Sequence, residues 1–319
     1  MFAAQIGARG RIDLVDVPDA ELDGPGQILF RPTTACLCGS DLPYFDGEQH
    51  DYPLRPGLSL HEMVGEVVAT TGSRFRAGDR VLAVPIGQVG FFERQVLGEE
   101  RAIPIDPRLE REEIAVLAQP LGTAIFALRK LGSLIDLDVA IVGQGPMGQI
   151  LAACARNLGA REIIAIDRLP ARLARSPIFG ATHVVASATE DPIEAVRSIT
   201  GGRLVDVVIE CVGHRDQTLD LCVDLCRQAG RILCFGVPPD SITVGPWRRL
   251  FDRNITLHTS VDPDFRRDFP LAMRWIADGR IDLARLVTHR YPVAEAQLAF
   301  ETFRDRVDGA LKVIVEIAR

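Results

Sequence analysis

The sequence predicts an α/β protein: a β-rich domain joined to a doubly wound parallel sheet. Three observations predict it. The first hundred or so residues carry short β-branched or alternating apolar runs between turn signals. From near Glu110, apolar runs of strand length alternate with helically spaced segments. At the first clear strand-to-helix junction stands Gly143-Gln144-Gly145-Pro146-Met147-Gly148.

The elements follow in order. Strands are expected over 12–17, 27–31, 63–70 and 80–84, punctuated by Gly24-Pro25-Gly26, Gly72-Ser73 and Gly78-Asp79. Helical spacing covers 110–118 and 121–131. The run 139–142 reads as a strand, and the glycine turn after it opens a helix over 147–158. Further strands are expected at 163–166, 184–185, 205–209, 232–235 and 255–258, with helices between most of them. Strands alternating with helices at this spacing make βαβ units and a parallel sheet. Beyond Ser260, helices are expected over 270–278 and 294–304 and a strand over 310–317. That tail is too short for a domain, so it either extends the sheet or returns to complete the first domain.

Composition narrows the function classes. A chain of 319 residues suits two domains, and 47% hydrophobic with 25% charged residues excludes disorder as the principal state. No apolar run reaches 18 residues, so no membrane-spanning helix is expected. Residues 1–11 lack a basic region followed by an apolar stretch, which points away from a secretory signal and towards the cytoplasm. The net charge of −7 disfavours a nucleic-acid partner. Nearly all the cations are arginine, with Lys130 and Lys312 the lysines. Seven cysteines at irregular spacing do not form a disulfide framework.

The glycine-rich turn carries the first chemistry. Gly143 permits the tight turn, Gly145 lets backbone approach a pyrophosphate, and Gly148 lets helix pack on strand. Amide groups at the helix N-terminus face the phosphates, and Pro146 suits the first helical turn. Asp167 ends the second strand, 19 positions after Gly148. This is the fingerprint of a Rossmann dinucleotide site. Asp167 would accept hydrogen bonds from the ribose hydroxyls and repel a 2′-phosphate, which predicts NAD over NADP. Arg168 could stack on adenine or partly restore NADP.

A second constellation comprises Cys38-Gly39-Ser40-Asp41, Pro56-Gly57 and His61-Glu62. A thiolate and an imidazole in a β-rich domain ahead of a dinucleotide fold suit a catalytic zinc. With these motifs stand Ala77-Gly-Asp-Arg-Val81, Pro120-Leu121, Asp206-Val-Val-Ile-Glu-Cys-Val-Gly213 and Leu311-Lys312-Val313. Over essentially its whole length the chain resembles the zinc-dependent medium-chain dehydrogenase/reductases, which include alcohol, sorbitol and threonine dehydrogenases. The resemblance implies a GroES-like catalytic domain over 1–119, completed by 260–319, and a Rossmann NAD-binding domain over 120–259.

Carried across position by position, the resemblance makes Cys38 and His61 zinc ligands and Glu62 the neighbouring acid, able to exchange with bound water. Asp41 would orient the His61 ring, and Ser40 would begin the proton relay. Thr123 would contact the nicotinamide carboxamide and Lys312 the pyrophosphate. Met147, Val212 and Val237 join the glycines in the expected cofactor contacts. The implied partners are a small alcohol or polyol and a second or further copies of the chain, as a homodimer or homotetramer, with no membrane and no nucleic acid.

The chain departs from the family at four places. Gln119 stands where the third zinc ligand is usually Cys or Glu, and an amide oxygen binds more weakly and without charge. Pro43 stands where a relay histidine is common, leaving Tyr44, His50 or water to serve. Leu60 replaces the usual glycine before the zinc histidine. The cysteine-rich lobe that holds a structural zinc is absent, so a single catalytic zinc is expected. Cys222 and Cys226 could meet on a helix face but are expected in the core. His183, His214, His258 and His289 are expected to be structural or at the surface. Three functions are therefore weighed: a zinc- and NAD-dependent alcohol or polyol dehydrogenase; a zinc-free reductase, lyase or epimerase of the same family; and a non-catalytic NAD-sensing protein.

Overall fold

The computed structural model describes residues 1–48, 50–213 and 216–317, and of Asp216 and Gln217 the backbone alone. The chain forms two compact units, Met1–Gln119 with Phe265–Arg319, and Pro120–Asp264. Among the described residues no helix is long and apolar enough to cross a membrane.

The first unit opens with an antiparallel hairpin, β1 (Phe2–Ala8) and β2 (Arg11–Asp16). The long strand β3 (Gln27–Cys36) follows. Its side chains alternate between core and surface through Thr34 and are then buried continuously through Cys36. A turn and the short α1 (Leu42–Asp46) lead to β4 (Glu62–Thr70), β5 (Arg80–Ala83), β6 (Gln95–Gly98) and β7 (Ala102–Pro104). Then comes α2 (Glu112–Ala115), and α3 (Ala118–Arg129) carries the chain across the boundary into the second unit.

The second unit holds β8 (Asp138–Val142), α4 (Pro146–Asn157), β9 (Glu162–Asp167), α5 (Pro170–Leu173), β10 (His183–Ala186) and α6 (Pro192–Ile199). It continues through β11 (Val205–Glu210), α7 (Asp216–Leu225), β12 (Cys226–Cys234), α8 (Trp247–Asp252) and β13 (Thr256–Thr259). The six strands pair in the order β10-β9-β8-β11-β12-β13, all parallel. Every residue of β8 is buried, as expected of a central strand covered on both faces. The order reverses between β8 and β11, and such a switch point leaves a crevice at the strands' carboxyl ends. At the opposite end, the buried Asp138 carboxylate accepts a bidentate pair from Arg161 (2.9 and 2.7 Å) and a third bond from Arg203 (3.3 Å). The Asp138 amide donates to Asp206 Oδ2 at 2.8 Å.

The chain re-enters the first unit with α9 (Phe265–Ala277), β14 (Val287–Pro292), α10 (Ala296–Asp305) and β15 (Lys312–Glu316). The main sheet of that unit runs β14-β15-β3-β4-β5-β7, with β6 also on β3. Its register positions the site. Cys36 pairs with Glu62 on one side and with Ile314 on the other, and Leu37 N–H donates to Val313 O. The end of β3 and the starts of β4 and β15 therefore meet at one end of the sheet.

Two sequence expectations change here. Cys226 opens β12 instead of continuing α7, so Cys222 and Cys226 share no helix face, although both are buried. Helix α9 begins at Phe265, upstream of Pro270, with the apolar face carrying Phe269, Ala272 and Met273 turned inward.

Candidate metal centre and dinucleotide cradle

At that sheet end, the Cys38 thiol, a His61 ring nitrogen and a Glu62 carboxylate oxygen lie within 4.8 Å of one another. Cys38 is the extended residue before the turn Gly39–Asp41. The Asp41 carboxylate is fully buried and reaches both ligand-bearing segments. Its Oδ2 accepts the Cys38 N–H at 2.7 Å, and its Oδ1 accepts the Leu60 N–H at 3.1 Å. The first of these closes a capping arrangement, in which the third residue of a turn bonds back to the capping amide. The expected bond to the His61 ring gives way to this pair. Nδ1 stands 3.9 Å from Oδ1, beyond hydrogen-bond length.

Leu60 has φ of 65°, the left-handed region that costs a residue bearing Cβ about 1–2 kcal/mol. Its side chain is wholly buried in the core with Phe45, Met63 and Phe91. Burying a leucine is worth about 1.5–3 kcal/mol, which accounts for a leucine at a position whose backbone favours glycine.

Glu62 and Lys312 form a buried ion pair, Nζ to Oε2 2.5 Å, and Nζ also donates to Leu37 O at 3.3 Å. Burial works to raise the Glu62 carboxyl, against the opposing pull of Lys312. Burial also works against the Lys312 charge, but the surrounding Cys36, Glu62 and Cys38 outweigh it and raise its pKa. The Cys36 thiol, buried alongside, is pushed well up by desolvation. Lys312, expected at the pyrophosphate, is instead 1% exposed. Its ammonium is committed to a carboxylate of the thiol–imidazole cluster, because β15 begins beside the end of β3.

The donor chemistry fits zinc, which takes thiolate, imidazole and carboxylate ligands. In a neutral imidazole one ring nitrogen carries the proton and the other offers its lone pair to a metal. Two buried atoms here, His61 Nδ1 and Ser40 Oγ, have no hydrogen-bond partner among the described residues. Gln119 is half-buried in the first turn of α3. Pro43 occupies the first turn of α1, where it needs no amide bond. Nearby, Tyr44 stacks on His50 with ring centroids 5.4 Å apart.

The cradle in the second unit is built on β8 and α4. Gly143 has φ of 96°, and a Cβ there would meet the Cys211 backbone at 3.1 Å. A Cβ on Gly148 would stand 1.9 Å from Gly143 O, so glycine is needed for this approach of helix to loop. Gly145 caps α4, with Pro146 in its first turn and Met147 half-buried after it. Asp167 Oδ2 accepts the Gln144 N–H at 2.6 Å, and Oδ1 accepts the Leu169 N–H at 2.8 Å. These bonds fix the acid against the loop. Arg168 is exposed. Arg172, which the motif reading passed over, is the cation nearer the loop: its Nη1 lies 3.9 Å from Asp167 Oδ2 and 3.6 Å from where a Gly145 Cβ would be. One turn of α5 brings it back, a signal that a motif ending at Asp167 does not contain.

Val212 and Val237 are exposed just beyond β11 and β12. Glu210 Oε1 accepts the Val212 and Gly213 amides at 2.7 and 2.9 Å. Thr123 lies half-buried on α3. His183 pairs with Glu162 at 3.1 Å and His289 with Thr288 at 3.0 Å. His214 lies outside the described residues.

Two family models match this arrangement: an alcohol dehydrogenase GroES-like domain over residues 24–103 and a zinc-binding dehydrogenase over 146–278. The chain belongs to the zinc-dependent medium-chain dehydrogenase/reductase family. It is 28% identical to an alcohol dehydrogenase of Cupriavidus necator, covering 99% of this chain and 98% of that one. It is 27% identical to the sorbitol dehydrogenase of Bacillus subtilis, covering 96% and 93%. Among solved structures, the alcohol dehydrogenase TADH from Thermus sp. ATN1 superimposes with a TM-score of 0.89 at 28% identity, each chain covered in full. The GroES-like and Rossmann assignments follow from these matches.

Proposed function

We propose that the protein transfers hydride between a secondary alcohol or polyol and NAD(H), with one catalytic zinc and no structural zinc. The first unit serves as catalytic domain and the second as nucleotide-binding domain. The observation that carries the proposal is the convergence of Cys38, His61 and Glu62 at one sheet end. The relatives' names support the substrate class.

Zinc supplies Lewis-acid polarisation of the substrate oxygen, and the nicotinamide supplies the redox chemistry. The chain's own residues do the rest. Cys38 and His61 would hold the metal, with the Glu62 carboxylate beside them and the Gln119 amide oxygen as third ligand. Asp41 fixes the backbone of both ligand segments, and Lys312 holds Glu62. Ser40 Oγ takes the hydroxyl proton and passes it outward, with Tyr44, His50 or water in place of a relay histidine. Asp167 accepts from the ribose hydroxyls, Arg172 faces the phosphates, and the amides of Gly145 to Gly148 receive the pyrophosphate. Thr123 meets the carboxamide, and Val212 and Val237 flank the nicotinamide half.

We also read the protein as cytoplasmic, supported by seven free thiols. It assembles as a homodimer or homotetramer, supported by edge strand β13 and the exposed Trp247 and Phe251.

Metal analysis of purified protein, coupled to nicotinamide absorbance over a panel of alcohols and polyols, tests the proposal. About one zinc per chain and turnover lost on chelation are expected. Full activity in zinc-free protein would instead favour the zinc-free reductase or lyase reading. Gln119→Glu should retain zinc more tightly, and unchanged affinity would remove Gln119 from the ligand set.

A further inference from the structure

Beneath the glycine loop lies a polar network that none of the roles above uses. Gln144, Gln149 and Ser176 are each fully buried. From α4, Gln149 Nε2 donates to Gln144 O (3.1 Å), Arg172 O (3.0 Å) and Ser176 Oγ (3.2 Å). Ser176 Oγ donates in turn to Gln144 Oε1 at 3.0 Å, and Gln144 Nε2 to Ile141 O at 3.1 Å. Two backbone carbonyls face the Gln149 amide nitrogen, which favours this orientation, since a carbonyl oxygen in that place would meet two acceptors and the Ser176 hydroxyl alone as donor.

The network ties together three segments: the end of β8, the glycine loop, and the turn that carries Arg172. Gln149 touches the last two through a single NH2 group. Its own Oε1 is buried with no hydrogen-bond partner among the described residues. The side chain is therefore held by its donor end alone, at the junction of loop and turn. Apolar side chains would fill the same space without fixing direction, whereas buried hydrogen bonds are directional. What this one specifies is how far the Arg172 backbone stands from the loop, and hence the placement of its guanidinium beside Gly145 and Asp167.

We propose that Gln149, acting with Ser176, is a positioning residue for the ADP-ribose half of the dinucleotide. It sets affinity by holding the Arg172 turn against the glycine loop. The inference rests on the dinucleotide reading above.

The test uses the full chain. Gln149→Met keeps length and volume and removes the donors, while Ser176→Ala removes the link to Gln144. Affinities for NADH and ADP-ribose are measured with thermal unfolding in wild type, both variants, Arg172→Leu and the Gln149→Met/Arg172→Leu double variant. Gln149→Met should weaken NADH and ADP-ribose alike, by roughly tenfold, the scale of one lost hydrogen bond. That loss should vanish when Arg172 is already leucine, because coupled residues are not additive. Unchanged affinities alongside a lowered Tm, or an undiminished loss in the Arg172→Leu background, would overturn the inference. If Gln149→Met does not fold, Ser176→Ala makes the same comparison at about threefold. Wild-type protein that binds neither NADH nor ADP-ribose would overturn the dinucleotide reading, and this inference with it.

Discussion

Removing the Asp41 carboxylate should loosen both halves of the Cys38–His61 cluster at once. In Asp41→Ala, the Cys38 and Leu60 amides lose acceptors now at 2.7 and 3.1 Å. Each unsatisfied buried donor costs about 1–3 kcal/mol, so about 2–6 kcal/mol is at stake, against the 5–15 kcal/mol of stability typical of a folded protein. Asp41→Asn keeps one carbonyl oxygen. One amide stays bonded while the other faces an NH2 group, so about 1–3 kcal/mol is expected. Urea unfolding of metal-free protein measures the stability term, and zinc retained through dialysis measures the site. Both should rank wild type above Asn above Ala. An Ala variant within 1 kcal/mol of wild type that also retains zinc equally would refute the reasoning. The two amide bonds would then not be what holds the ligands together.

Three further outcomes rest on single contacts elsewhere in the fold. Lys312→Met leaves Glu62 buried without its partner, and should cost about 3–5 kcal/mol in urea unfolding, much of it recovered when Glu62→Gln is added. Gly148→Ala forces a Cβ to 1.9 Å from Gly143 O. The loop must open, with about 1–3 kcal/mol lost and NADH binding weakened in fluorescence titration. Burial works to raise the Asp206 carboxyl, but the Asp138 amide and the Arg227 guanidinium outweigh it and hold its pKa low. Its contribution is therefore present above the unfolded value of about 4 and is lost as pH falls through the lowered folded value. Asp206→Asn should flatten that acid limb in unfolding curves measured below about pH 4.

The strands legible in the sequence are those that carry their own apolar pattern. The run 139–142 shows itself because a central parallel strand is apolar on both faces. Strands β1, β6, β7 and β14 lie outside the expected runs, and β12 begins well before the expected 232–235. In β14, Val287-Thr-His-Arg-Tyr-Pro292 has no such pattern and becomes a strand because β15 lies beside it. In β12, Arg227-Gln228-Ala229 falls in a register break between the Cys226 and Arg231 pairings with β11, and the Ala229 N–H donates to Arg253 O at 2.7 Å. Strand formation at such places is a property of the partner more than of local propensity.

The sequence by itself determined the chemistry available: a thiol at 38, an imidazole and acid at 61 and 62, and three loop glycines, at two of which, Gly143 and Gly148, a Cβ would press on backbone. It also carries the family resemblance, in those residue types at those spacings. Tertiary structure decided who touches whom. Lys312 lies 250 positions from Glu62, and only the β15-β3-β4 register brings them to contact. Asp41 bonds two backbone amides in place of a ring, and Arg172 reaches the loop because a buried glutamine holds its turn. Hydrogen bonds and ion pairs act over a few ångströms in space, and separation along the chain does not encode that distance.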